Sequence, residues 1–283
     1  MTVSIFLDDA GKDLEKRAAG KRVALVFHLK IKRSEDYLSW LRESANQCGG
    51  ERLFRVQADP VAREGMWLDE ILIDEFPSPK AALSFMATHG EALRRHCESW
   101  AVLAVVPESP WLFRMVRWMS RLIQVFKGVR DTGTPAAGWA AENTAIWPDQ
   151  AQMAVARSQS LDDPLFVYNL NKYKAVAEYQ GEVESEPSVS GKEAYDRYAK
   201  LAGFELMRRG AFPVYGGTPV CLLAGEPDCM LQDNWDKFIF VRYPQRRNLL
   251  ATIEGDAFGE SQKHRDAGLA RVAIFMASPV GSS

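Results

Sequence analysis

Two stretches of the sequence match each other without a gap, one in each half of the chain. Residues 68–86 read LDEILIDEFPSPKAALSFM, and residues 235–253 read WDKFIFVRYPQRRNLLATI. A Phe-Pro pair beginning at residue 76 aligns with a Tyr-Pro pair beginning at residue 243. Such a repeat strongly constrains the fold, because both copies are expected to adopt the same supersecondary structure.

The similarity extends beyond the matched stretches. Each stretch predicts a strand, a stop at the proline, and a helix. A histidine, His96 in one half and His264 in the other, then precedes an apolar strand. Upstream, residues 22–30 and 164–172 both predict a strand that leads into an amphipathic helix. Each half therefore predicts the order strand, helix, strand, strand, helix, strand, which is that of a ferredoxin-like βαββαβ unit.

These units predict an α+β fold with an antiparallel sheet in each half. Helices cover only one face of such a sheet, so the other apolar face needs a partner. We expect the two repeats to pack sheet to sheet as an intramolecular pseudo-dimeric α/β barrel. The predicted boundaries are 1–107 for the first repeat, 108–160 for a helical linker, and 161–283 for the second repeat.

The linker contains a basic amphipathic helix over residues 110–128, which hold no acidic residue. Its arginines are expected opposite an apolar face that begins at Trp111. Two interpretations stay open: the helix lies on an anionic membrane surface, or it covers the open side of the pseudo-dimer with its arginines solvated. After it, Trp139 and Trp147 are expected to pin an irregular tether to the body.

The charge, the apolar runs and the cysteines of the sequence predict which partners and which compartment the protein has. Thirty-five basic and 37 acidic residues give a net charge of −2, which disfavours nucleic acid as a partner. The N-terminus reaches two aspartates too soon for a signal peptide, and no run of 18 apolar residues predicts a membrane span. The four cysteines form no CxxC pair. They predict reduced thiols in a cytoplasmic protein.

The second half resembles a known family through five short motifs. They are residues 168–174 (YNLNKYK), 208–210 (RRG), 235–236 (WD), 242–244 (RYP) and 264–269 (HRDAGL). In this order they resemble the domain of unknown function 1330 family, which belongs to the dimeric α/β barrel superfamily. The resemblance covers roughly residues 164–279. The first half keeps only Glu75-Phe76-Pro77-Ser78, so a functional site is expected in the second repeat.

The resemblance implies a fold and a cavity between sheet and helices, but not a reaction. Relatives in the superfamily include cofactor-independent monooxygenases, lactone isomerases, polyketide cyclases, dehydratases and haem-binding proteins. A fold does not choose among such activities.

The candidate catalytic residues are His264, Tyr168, Asn169 and Lys172. The strand 166–172 is unusually polar, and alternation places Tyr168 and Lys172 on one face and Asn169 on the other. These groups either bond to loops and the partner repeat or line a cavity. His264 has the side chain best suited to proton transfer near neutral pH, although a histidine that caps a helix C-terminus is an alternative.

The candidate substrate-binding residues are Arg208, Trp235, Arg242 and Tyr243. Guanidinium groups bind carboxylates through paired hydrogen bonds. Arg242 has a second interpretation, because it aligns with Glu75 and could meet that carboxylate across a pseudo-twofold axis.

Three classes of function remain after the motifs are weighed. The leading hypothesis is a cofactor-independent isomerase, cyclase, dehydratase or monooxygenase that acts on a small, largely apolar organic molecule in the second repeat. The alternatives are a non-catalytic ligand-binding or haem-binding protein and a module that binds membranes or partners through residues 110–128. No HxxxH, HExxH or carboxylate cluster predicts a metal site.

Overall fold

The computed structural model describes residues 6–7, 9–32, 35–128, 143–179, 188–226, 229–254 and 259–280. The strands are β1 (Val23–Ile31), β2 (Glu51–Ala58), β3 (Glu70–Phe76), β4 (Cys97–Pro107), β5 (Leu165–Tyr173), β6 (Phe212–Gly225), β7 (Lys237–Tyr243) and β8 (Leu269–Pro279). The helices are α1 (Ala10–Arg17), α2 (Glu35–Gln47), α3 (Pro79–His96), α4 (Pro110–Lys127), α5 (Gln150–Ser158), α6 (Gly191–Arg208), α7 (Arg246–Glu254) and α8 (Gly259–Gly268).

The repeat seen in the sequence is present in the secondary structure. Strands β3 and β7 each have seven residues and begin and end at aligned positions, and α3 and α7 also begin at aligned positions. Strands β4 and β8 each have 11 residues with the same sequence of exposed and buried positions. The predicted α+β class with antiparallel pairing is confirmed. The pseudo-dimeric arrangement of the repeats stays a prediction.

The chain divides into two compact units. Unit 1 comprises Met1–Glu108, Gly217–Phe238 and Ala277–Ser283, and unit 2 comprises Ser109–Gly216 and Ile239–Met276. Segments 217–238 and 277–283 belong to unit 1 because residues 217–225 pair with β4 and residues 277–279 pair with β2. The boundaries predicted at residues 107 and 161 were drawn from the repeat in the sequence, and they differ from the limits of these two units.

Unit 1 contains an antiparallel sheet in which β1 lies between β3 and β4. On β1, Val26 pairs with Ile73 on one side and with Leu103 on the other. Phe27 points to the helices, where its ring meets that of Phe85 edge to face at 6.2 Å. Alternation places His28 on the opposite face, where it is fully buried.

In unit 2 the strand order is β8, β5, β7, β6. Helix α5 begins with a capping box, in which Asp149 accepts a hydrogen bond from the Gln152 amide at 2.8 Å. The Gln152 side chain then donates to the Ile274 carbonyl at 2.8 Å, which fixes α5 on β8. The buried residues of this unit include Val167 of β5, Val241 of β7 and Ile274 of β8.

A contact between two glycines brings α6 and α8 close together. A Cβ at Gly191 would lie 2.4 Å from the Gly268 carbonyl oxygen, so this helix start requires glycine. The Lys174 amide, just after β5, donates to the same carbonyl at 2.9 Å. These contacts hold α8 beside α6 in unit 2.

None of the helices in the described part of the chain is long and apolar enough to cross a membrane. All four cysteines lie in that part, and none forms a disulfide.

Candidate functional site

Unit 2 contains a cavity of about 300 Å³ beside its sheet. This volume lies at the lower end of the range for small-molecule pockets, about 300–1,000 Å³. Most of the lining is apolar and includes Val167, Ala202, Leu206, Val241 and Ile274. The polar lining residues are Asn169, Tyr195, Tyr198, Tyr243, Thr252 and Arg265. A small molecule that fits here must be largely apolar, with its polar atoms at a few defined places.

Arg265 is the one cation among the described residues that line the cavity. It is 6% exposed, and its Nη2 donates to the Ile146 carbonyl at 2.6 Å. The Cζ atom lies 4.3 Å from the centroid of the Trp147 ring and 5.5 Å from that of Tyr198. Its Nε atom has no hydrogen-bond partner among the described residues, and no described carboxylate forms an ion pair with the guanidinium. The charge of Asp266 acts on Arg265 from beyond ion-pair distance. A buried guanidinium that forms no direct ion pair favours an anionic ligand.

Three tyrosines lie around this cation. Burial raises the pKa of Tyr195 to about 12, although the nearby guanidinium of Arg265 acts in the opposite direction. Burial also raises the pKa of Tyr243, and the neighbouring Tyr198 adds to that increase. Tyr195 and Tyr243 are therefore neutral hydrogen-bond donors at physiological pH.

Two further polar side chains line the cavity. Asn169 lies on β5, and its Nδ2 reaches the Val167 carbonyl only at a long 3.5 Å. Thr252 lies on α7 and is 6% exposed, and its hydroxyl has no hydrogen-bond partner in the part of the chain that the structure describes. The Asn169 amide is therefore available to a ligand oxygen, whereas the Thr252 hydroxyl is buried.

Two of the residues predicted from the sequence line this cavity, namely Asn169 and Tyr243. Asn169 points there together with Val167, as strand alternation predicts. Tyr243 is the residue that aligns with Phe76 in the first half, where no hydroxyl is present.

The other predicted catalytic residues lie outside the lining. The Nδ1 atom of His264 lies 2.8 Å from the Tyr179 hydroxyl. Tyr168 lies on the opposite face of β5, fully buried, with its ring 5.7 Å from that of Phe275. Lys172 is half-buried near the end of β5. The structure thus brings Asn169 into the cavity without the three groups predicted to act with it.

The remaining predicted substrate-binding residues also lie outside the lining. Arg208 is near Glu205, with Nη1 and Oε1 3.6 Å apart. Trp235 belongs to unit 1, where its indole donates to the Leu231 carbonyl at 3.1 Å. Arg242 is half-buried on β7 between Val241 and Tyr243.

The alternative pairing proposed for Arg242 involved Glu75. That carboxylate forms an ion pair with Arg22 inside unit 1. The pairing across a pseudo-twofold axis therefore stays a prediction. Trp147 contacts Arg265 and donates to Asp266 at 3.1 Å, whereas Trp139 lies outside the described residues.

Sequence reasoning missed Arg265, Tyr195 and Tyr198. Arg265 stands next to His264 in the HRDAGL motif, but the motif does not show which side of the helix faces the sheet. Ser261, Arg265 and Gly268 are four and three residues apart and all buried. An arginine with a small residue four positions before it and another three positions after it was the signal in the sequence, because this spacing places all three residues on one side of a helix.

The cavity does not suit a histidine-ligated haem. All four histidines lie in the described part of the chain, and none lines the cavity. His28 is buried in unit 1, His89 and His96 pack against aromatic rings there, and His264 meets Tyr179. Among the described residues, no group of three or more His, Cys, Asp or Glu side chains could hold a metal ion.

Comparison with known proteins gives distant likenesses in structure. No family model and no curated protein matches the chain. A protein of unknown function from Rhodopseudomonas palustris is 24% identical, with a TM-score of 0.41 over 48% of this chain and 96% of its own. A chlorite dismutase from Candidatus Nitrospira defluvii, solved with imidazole, is 9% identical, with a TM-score of 0.48 over 94% of each chain. A protein from Lactobacillus acidophilus assigned as a monooxygenase is 10% identical, with a TM-score of 0.39. These values are too low to transfer a ligand or an activity.

Proposed function

We propose that unit 2 binds a small, largely apolar organic anion and that Arg265 holds its acidic group. The observation that carries this proposal is the buried guanidinium at the cavity wall, which forms no ion pair with a described carboxylate and whose Nε has no hydrogen-bond partner among the described residues. Burying a charge without a direct ion pair is costly, and an anionic ligand offsets that cost.

The rest of the lining supports the same ligand. Hydroxyl donors from Tyr195 and Tyr243 lie near the cation, and Thr252 and Asn169 supply further polar atoms. The apolar walls would hold a hydrocarbon or aromatic body. Pockets that combine apolar walls with a few polar groups are typical of small-molecule sites.

A cofactor-independent isomerase or cyclase is the second candidate, and the donor set favours it. Arg265, Tyr195 and Tyr243 could stabilise the oxyanion of an enolate, which is a common source of rate acceleration. The described residues of the lining include no carboxylate, imidazole, amine or thiol, so no ordinary general base is present among them. Binding is therefore the function that the geometry supports best.

Calorimetric titration with 2-naphthoate and with its uncharged amide tests the binding proposal. The two probes have nearly the same shape, so a difference in affinity reports the charge. We expect tighter binding of the acid. Equal affinities, or binding of neither probe, would count against an anion site.

The enzyme candidate is tested with phenylpyruvate, a small apolar keto acid that exchanges a carbon-bound proton as it converts to its enol. Faster enol formation with the protein, lost in Tyr195→Phe and Tyr243→Phe, would support catalysis. Binding of phenylpyruvate without faster enolisation would support the binding function and count against the enzyme candidate.

A further inference from the structure

Helix α4 turns a mixed polar and apolar side toward the body of unit 2, where Val116 lines the cavity and the Phe113 ring stacks on that of Tyr215. Ser120 is the buried residue of this helix, and its hydroxyl donates to the Met207 carbonyl at 3.1 Å. The Gln124 side chain donates to the same carbonyl at 3.1 Å and to the Ser120 hydroxyl at 3.0 Å. Amphipathic surface helices normally bury their apolar stripe. The hydrogen bonds between α4 and α6 are therefore made by side chains that such a helix usually exposes.

Five large apolar side chains of α4 are exposed. Trp111 is 67% exposed, Trp118 61%, Val125 77% and Phe126 79%. Residues 111, 118 and 125 are spaced by seven and so lie on one side of the helix. Met119 is exposed next to them. We call this set, Trp111, Trp118, Met119, Val125 and Phe126, the outer face. Contiguous apolar surfaces of this kind mark interaction sites.

The outer face has a basic flank and no acidic residue. Arg114, Arg117, Arg121 and Lys127 are all exposed, and residues 110–127 contain no Asp or Glu. Tryptophan, phenylalanine and arginine on a helix that does not span a membrane are the features of a helix that lies in the lipid headgroup region.

We propose that α4 docks on an anionic lipid surface, with the outer face inserted among the acyl chains and the arginines on lipid headgroups. Charge decides against a second copy of this helix as the occupant, because α4 offers no carboxylate to the arginines of another α4. An anionic bilayer supplies both the apolar layer and the negative charge. This proposal does not depend on what the cavity binds.

Co-sedimentation of the full chain with vesicles tests the proposal. We expect binding to vesicles of phosphatidylcholine mixed with phosphatidylserine and little binding to phosphatidylcholine alone. The triple variant Arg114→Glu, Arg117→Glu, Arg121→Glu should partition roughly a hundred-fold less, since each basic residue near such a surface contributes a factor of about five. The double variant Trp118→Ser, Phe126→Ser should lower binding roughly ten-fold or more.

A matched control variant distinguishes the effect of the arginines of α4 from the effect of the net charge of the chain. Lys16→Glu, Lys21→Glu, Lys80→Glu changes the net charge by the same amount at exposed positions of unit 1, and it should bind vesicles nearly as well as the wild type. Circular dichroism would show that each variant is folded. Equal binding by the arginine variant and the lysine control would overturn the proposal. So would a dimer that the outer-face double variant dissociates in the absence of any vesicle binding.

Discussion

The guanidinium of Arg265 lies over the indole ring of Trp147, with the Cζ atom 4.3 Å from the ring centroid. Trp147 precedes α5 and Arg265 lies on α8, so this contact joins two segments that are far apart in sequence. The indole also donates to Asp266 at 3.1 Å. Trp147 therefore holds both the cation of the cavity and the helix that carries it.

Replacing this tryptophan should destabilise the protein. Trp147→Leu removes the cation–π contact and the indole hydrogen bond, so we expect a loss of about 1–3 kcal/mol in the free energy of unfolding. Urea denaturation measures it. The control is Trp111→Leu on the outer face of α4, which should change stability by less than about 0.5 kcal/mol. Equal effects of the two substitutions would contradict the role given to Trp147.

Filling the cavity should abolish binding without loss of stability. Ala202 lies on α6, is 1% exposed and lines the cavity, so Ala202→Leu places extra apolar atoms in empty space. We expect 2-naphthoate binding to be lost and the thermal midpoint to stay constant or rise. Ala194→Leu on the same helix is the contrast, because Ala194 packs closely against Gly268. Ala194→Leu should lower the free energy of unfolding by about 1–3 kcal/mol. A loss of stability in Ala202→Leu and none in Ala194→Leu would show that the empty space does not lie beside Ala202.

The tyrosine hydroxyls should contribute to affinity across a wide pH range. Tyr195→Phe and Tyr243→Phe should each weaken 2-naphthoate binding about two- to ten-fold, the amount expected for one hydrogen bond. Tyr168→Phe, on the other face of β5, should have no effect on binding.

The pH dependence follows from the raised tyrosine pKa values. Burial raises the pKa of Tyr195 to about 12 and also raises that of Tyr243, so both donors keep their protons in mild alkali. Affinity measured by titration calorimetry should therefore stay level up to about pH 10. A marked fall near that pH would show that these hydroxyls ionise at an ordinary pKa.

Unit 1 should lose stability in acid through His28. Burial lowers the pKa of this histidine to about 3, whereas the unfolded chain keeps a value near 6.5. Between these values the unfolded state binds a proton that the folded state does not, so the free energy of unfolding falls by about 1.4 kcal/mol per unit of decreasing pH. His28→Leu should reduce that slope by about one proton, as measured by urea midpoints from mildly acidic to neutral pH. An unchanged slope would mean that His28 titrates normally in the folded state.

The sequence repeat predicted the secondary structure well because strands and helices leave periodic patterns over many residues. Strands β3 and β7 begin and end at aligned positions, and alternation on β5 correctly placed Asn169 opposite Tyr168. Where the first copy has one helix, α3, the second has α7 and α8.

The site was less predictable because it depends on the rotation of single helices. A change of one position along α8 moves a side chain by about 100°, and this distinguishes His264, which meets Tyr179, from Arg265, which lines the cavity. Helix α4 shows the same limit. Its apolar and basic residues were evident, but only the structure shows that Ser120 and Gln124 face the body and that the outer face is exposed.

The central claim is that Arg265 gives the cavity its preference for an anion. It is tested most directly by titrating 2-naphthoate and 2-naphthamide into the wild type, Arg265→Gln and Arg208→Gln. Arg208 is a cation of the same unit that does not line the cavity, so its variant is the matched control.

We predict that Arg265→Gln weakens 2-naphthoate binding about ten- to a hundred-fold and leaves 2-naphthamide binding nearly unchanged, while Arg208→Gln alters neither. Arg265→Gln binding 2-naphthoate as tightly as the wild type, or Arg208→Gln losing the preference for the acid, would contradict this account.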